Sequence, residues 1–223
     1  MKKSIIIVFT LFFYSTYAQT VTMNLGDFDT VKIFDKISAQ LIPSDENRME
    51  IKGNRASEVE ILNSNGDLKI RMPFPKLMKG DEIEVTLFYK QLKAIEASEG
   101  SFVRAETPMQ SIGFSLNVKE GANIIVELDV KYTNIKLSTG GILSVKGTTE
   151  NQDIVMTSGS ILKAKDFYSK QTTITVNAGG EADVFATEYV NAKVRAGGSI
   201  YIYGSPKQID ENTVVGGTIK EMK

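Results

Sequence analysis

The 223-residue chain has no cysteine, no histidine and no tryptophan. Without cysteine there is no disulfide framework, no thiol nucleophile and no thiolate metal site. Without histidine there is no Ser-His-Asp triad, no histidine-bound zinc and no imidazole acid or base. Most common enzyme designs are removed by these two absences. Charge of one sign is missing too, because 26 basic residues face 27 acidic ones. Such balance gives no electrostatic case for nucleic acid or for an anionic membrane as a partner. Nothing in the composition implies a cofactor. The fold must rest on burial and hydrogen bonding alone.

Long apolar runs are also scarce. The one present lies at the start, where Lys2 and Lys3 precede a largely apolar stretch over 5–13 and Ala18 precedes Gln19. A positive start, a short apolar stretch and a small residue at the cut describe a secretory signal peptide over 1–18. The run is too short to span a bilayer, which needs about 20 residues. No later segment reads as a membrane-crossing helix, and no cysteine follows the cut to carry a lipid. The chain is expected to be exported, to the periplasm, the outer-membrane surface or the medium. A single domain is expected over 19–223.

What the chain has instead is a recurring glycine unit. Its central glycines are Gly100, Gly121, Gly140, Gly159, Gly179, Gly197 and Gly216, at intervals of 21, 19, 19, 20, 18 and 19 residues. A fixed period near this length marks stacked supersecondary units. Around each glycine, apolar and polar residues alternate with period two, as in Ile135, Leu137, Thr139, Gly141, Leu143 and Val145. That is a strand signal, and it runs through the glycine pair without slipping. The residue after each central glycine is Ser, Ala or Gly. This predicts a tight corner where a large side chain does not fit and where the glycine adopts positive φ.

A propeller blade needs about 40 residues per repeat, so this unit is too short for one. A parallel β-helix, or β-solenoid, fits: no coil can bury a core alone, and stacking supplies it. Seven coils are expected over 91–223. The segment 19–90 lacks the period and is expected to form an amino-terminal β cap and the first coils. Strands are predicted there over 31–41, 49–52, 59–61, 68–72 and 83–88, with a hairpin turn at Asn65-Gly66. Phe74, Leu77 and Met78 lie in a proline-bounded loop expected to fold over the solenoid end as a cap; a binding loop is the alternative.

The chain resembles the family described as putative auto-transporter adhesin, head GIN domain, a DUF2807-type family of secreted Bacteroidetes proteins. The resemblance is carried by Phe28-Asp29-Thr30-Val31-Lys32-Ile33, by Asn65-Gly66-Asp67-Leu68-Lys69-Ile70, by the serial glycine units and by the closing run from Gly198 to Pro206. It implies a β-solenoid outside the cytoplasm, and it specifies fold far better than activity.

Two groups of residues stand out as candidate sites. Glu99 and Glu120 occupy the same position in consecutive coils, so in-register stacking would put their carboxylates about 5 Å apart. Such a pair could share a cation or serve sugar chemistry; the alternative is that both reach solvent. Phe185, Tyr201 and Tyr203 lie on the outward phase of the last coils and could stack on sugar rings or bury in a partner. Packing under the last coil is the alternative. The leading expectation is a non-catalytic binding or assembly protein for a glycan or an envelope protein, able to self-associate. A polysaccharide lyase or glycoside hydrolase on a β-helix is the second.

Overall fold

A computed structural model describes residues 20–223; the predicted signal peptide lies outside the described residues. The molecule is an all-β solenoid of about seven turns, its 21 strands joined in one continuous hydrogen-bonded sheet. No α-helix occurs among the described residues.

The coil around Gly140 shows how the sequence makes a turn of this solenoid. The strand Asn123–Leu137 runs into Ser138, and Ile142–Thr148 leaves on a new heading. Between them Thr139 (φ 49°) and Gly140 (φ 73°) are both left-handed. The N–H of Gly141 closes the turn on the carbonyl of Ser138 at 2.9 Å. Two consecutive residues with positive φ define a type I′ turn, which keeps the twist of the strands it joins. The expected positive φ holds at every central glycine, and the residue before each of them is left-handed as well. These corners stack on one another. The N–H of Gly100 donates to Glu120 O at 2.9 Å, Gly121 to Thr139 O at 3.0 Å and Gly140 to Ser158 O at 3.1 Å.

The strand before each corner forms one face and the strand after it a second. On the first face Leu116, Ile135, Ile154, Ile174 and Ala192 pair in parallel register and are all buried. On the second, Val103, Ile124, Leu143, Leu162, Ala182 and Ile200 do the same. These columns are the core. A polar cluster interrupts it, where the buried Gln152 side-chain amide donates to Thr172 Oγ1 at 2.9 Å and to the carbonyl of Phe185 at 3.3 Å. The last coil places Glu211 opposite Ala192 and Thr213 opposite Val194. Polar groups at core-facing positions discourage pairing with another chain at an exposed edge.

At the other end the sequence order and the spatial order part company. The strands Thr30–Ile33 and Ser38–Pro43 form a coil that lies between Ala94–Ala97 with Phe102–Arg104 on one side and Asp67–Arg71 with Glu84–Tyr89 on the other. The first parallel coil in the sequence is therefore second in the stack; the chain passes from it to the outermost parallel coil and then crosses back. The predicted strand over 31–41 is two strands, because Asp35 (φ 59°) and Lys36 (φ 63°) form a corner with no glycine to announce it. Antiparallel strands cover the end. Arg48–Lys52 pairs with Glu84–Tyr89, Thr20–Asn24 with Arg48–Lys52, and Glu60–Ser64 with Asp67–Arg71 across the predicted Asn65-Gly66 turn. The loop bearing Phe74 does not fold over this end. It projects into solvent, with Phe74 84% exposed. The reason is geometric: residues 72–83 take the place of a corner in the outermost parallel coil, at the side of the stack, while antiparallel strands already cover its top.

Candidate groove on the second face

Parallel register aligns outward side chains of successive coils into columns. On the second face, Arg104, Ile125, Ser144, Lys163, Asp183 and Tyr201 form one column, each four residues after its central glycine. Two residues further on come Glu106, Glu127, Lys146, Lys165, Phe185 and Tyr203. A groove of about 660 Å³ runs between these columns across several coils. Its apolar floor includes Ile125 and Ile161, and Tyr203 closes one end. Lys146, Lys163 and Lys165 line it together with Glu106, Asp166, Glu181 and Asp183. Lys146 is paired with Glu127 at 2.8 Å.

The electrostatics of the groove centre on Asp183. Burial raises the pKa of its carboxyl above the usual range, and the neighbouring Glu181 charge raises it further; Lys165, a hydrogen bond from Tyr203, and Lys163 oppose the shift. Burial and the Asp183 charge also raise the pKa of the Tyr203 phenol, so it stays a neutral hydroxyl. The groove thus offers hydroxyl and ammonium donors, carboxylate acceptors and an apolar floor within one concavity.

The structure separates the three outward aromatics. Tyr203 lines the groove, whereas Tyr201 and Phe185 lie outside its lining. Phe185 is instead packed edge-on against Tyr168, with ring centroids 4.7 Å apart and planes at 87°. That is an ordinary aromatic packing geometry. The sequence reading missed Ile125, Ile161 and the acidic groups of the groove. The four-residue offset from each glycine, applied to every coil, would have collected Ile125, Lys163 and Asp183 into one column.

Glu99 and Glu120 are placed at adjacent corners, away from the groove. Glu99 is half-buried and Glu120 exposed, with the hydroxyl of Ser98 donating to Glu120. The sequence reading overlooked their neighbour, Asp35, which is 1% exposed. Asp35 holds the corner above Glu99, and the N–H of Lys36 donates to Glu99 O at 2.9 Å. Burial raises the pKa of the Glu99 carboxyl, and the Asp35 charge, a hydrogen bond with Asp35 and the Glu120 charge raise it further. Asp35 itself is engaged by backbone, accepting from Met72 N at 2.9 Å and Met78 N at 2.7 Å. Among the described residues no group of three or more acidic side chains is arranged to hold a metal ion.

The family model described as DUF2807, putative auto-transporter adhesin, head GIN domain, matches residues 27–206. The chain belongs to this family. Solved structures share the fold. A putative adhesin from Bacteroides fragilis NCTC 9343 is 18% identical with a TM-score of 0.84, over 93% of this chain and 98% of the other. A putative adhesin from Parabacteroides merdae ATCC 43184 is 19% identical with a TM-score of 0.74, over 93% and 97%. A protein described as a putative lipid binding protein, from Parabacteroides distasonis ATCC 8503, is 16% identical with a TM-score of 0.70, over 93% and 98%. At these identities the likeness establishes the fold and leaves the ligand open. No functionally curated protein matches the sequence. Neither the family nor these relatives are described as enzymes. Among the described residues no helix is long and apolar enough to cross a membrane.

Proposed function

We propose that this member of the adhesin family is an exported, non-catalytic binding protein that holds a glycan in the groove of its second face. The groove carries the reading, because its volume of about 660 Å³ falls within the roughly 300–1,000 Å³ of ligand sites. Sugars present alternating hydroxyl donors and acceptors around apolar ring faces. The groove supplies the counterparts: Asp183 and Glu181 to accept, Lys163 and Lys165 to donate, and Ile125, Ile161 and Tyr203 to meet ring faces. Lysines and carboxylates are nearly balanced along it, which favours a neutral glycan over a polyanion. A chain of several sugar units suits a groove that crosses several coils.

The test is binding of the purified protein to a broad glycan array, followed by calorimetry on any hit. Tyr203→Ala should weaken binding about tenfold, the loss of about 1.4 kcal/mol from one aromatic contact. Absence of any glycan ligand, or a hit unaffected by both Tyr203→Ala and Lys163→Ala, would refute the assignment.

A second reading has one specific observation in its favour. The raised pKa of Asp183 beside Glu181 resembles the acid partner of a glycosidase pair. Release of reducing ends from polysaccharide, abolished by Asp183→Asn, would move the protein into that class.

A further inference from the structure

The exposed loop at the amino-terminal end calls for a different occupant from the groove. Phe74 is 84% exposed, Leu77 45% and Met78 42%. Three large apolar groups within five residues lie open to water. The backbone beneath them is tightly held. The carboxylate of Asp35, itself buried, accepts the N–H groups of Met72 and Met78, and the N–H of Gly80 donates to Asp35 O at 2.9 Å. Met78 is left-handed at φ 61°, a conformation that costs a non-glycine residue energy and persists only where its surroundings impose it. The loop is therefore a fixed display of apolar side chains.

We propose that the tip formed by Phe74, Leu77 and Met78 docks this protein onto a phospholipid bilayer surface by inserting into its interfacial region. Several features select a bilayer over another protein. Three side chains cannot supply the roughly 800 Å² per partner that a stable protein interface buries. A protruding tip needs a partner that conforms to it, and a fluid bilayer conforms without prior shape matching. The only charges within 72–80 are Lys76 and Lys79, and long cationic side chains beside inserted apolar groups can reach lipid phosphates. Lys76 is also tied to Glu58 at 2.7 Å, and Asp81 and Glu82 follow directly, so net attraction is small. Insertion of the apolar groups is then the main contribution, and binding should depend little on salt.

The absence of tryptophan makes the test direct. Phe74→Trp introduces a single tryptophan at an exposed position where folding does not depend on it. With phosphatidylethanolamine/phosphatidylglycerol vesicles its emission should move to shorter wavelength and be quenched by brominated lipid acyl chains. Cosedimentation of the unsubstituted protein with the same vesicles should persist in half-molar salt. It should fall at least tenfold in the triple variant Phe74→Ser, Leu77→Ser, Met78→Ser, whose circular dichroism should be unchanged. No cosedimentation would overturn the proposal. Cosedimentation with an unshifted tryptophan, or equal binding by the triple variant, would overturn it as well by placing the contact elsewhere.

Discussion

Gly140 and Gly141 are neighbours in the same corner, yet alanine at each should fail for a different reason and by a different amount. A Cβ on Gly140 meets nothing within 4 Å, and the cost there is its left-handed φ of 73°. That cost is about 1 kcal/mol. A Cβ on Gly141 would lie 2.3 Å from the carbonyl oxygen of Val118 and 2.7 Å from its carbon, both backbone atoms of the next coil. Ordinary contact begins near 3.4 Å, so the two coils would have to part by about 1 Å. The bonds from Ser138 N to Val118 O (3.0 Å) and from Ile142 N to Ala122 O (2.9 Å) lie directly beside the clash. Losing two such bonds costs about 2 kcal/mol, and overpacking adds roughly 1–3 kcal/mol. Gly141→Ala should thus destabilise by about 3–5 kcal/mol and Gly140→Ala by about 1 kcal/mol. Urea unfolding followed by far-ultraviolet circular dichroism measures both. Gly140→Asn serves as a control and should cost less than Gly140→Ala, since asparagine tolerates left-handed backbone. Equal losses at the two positions, or a larger one at Gly140, would refute the view that the second glycine is a packing requirement between coils.

Further outcomes follow from the clamp, the core and the corner carboxylates. Asp35→Ala should destabilise by about 2–4 kcal/mol, because the buried N–H of Met72 and the partly buried N–H of Met78 lose their acceptor; protease cleavage within 73–80 should accelerate in parallel. Gln152→Ala should cost about 2–4 kcal/mol in urea unfolding, through a cavity and the loss of its bonds to Thr172 and Phe185. The pKa of Glu99 is raised on folding, so the native state binds the extra proton more tightly than the unfolded chain. Stability from this group is present at low pH and declines as pH rises from about 4.5 through the raised folded value. Glu99→Gln should therefore stabilise the protein at neutral pH and flatten its stability profile in that window; an unchanged profile would refute the coupling to Asp35 and Glu120.

The solenoid was legible in the sequence because its geometry is local. A corner with two left-handed residues nearly always places glycine second, and alternation through 135–145 fixes which side chains face inward whatever the neighbours are. The corner at Asp35-Lys36 was not legible, since two non-glycine residues are held left-handed there by contacts from 72–80 and from Glu99, which are distant in sequence. For the same reason a continuous strand over 31–41 looked sound. Tyr203 was legible as an outward aromatic, but its separation from Phe185 and Tyr201 was not, because which outward residue lines a concavity depends on how successive coils bend. The fate of Phe74 was equally hidden: an apolar loop reads as a cap until the antiparallel strands that already cover that end are seen. The sequence by itself determined the period, the inward phase, the corner glycines and the exclusion of cysteine and histidine chemistry, all properties of residues within one coil. Only the tertiary structure decided the order of the first coils, the buried Asp35 clamp, the groove around Asp183 and the exposure of Phe74, because each depends on which coils lie side by side.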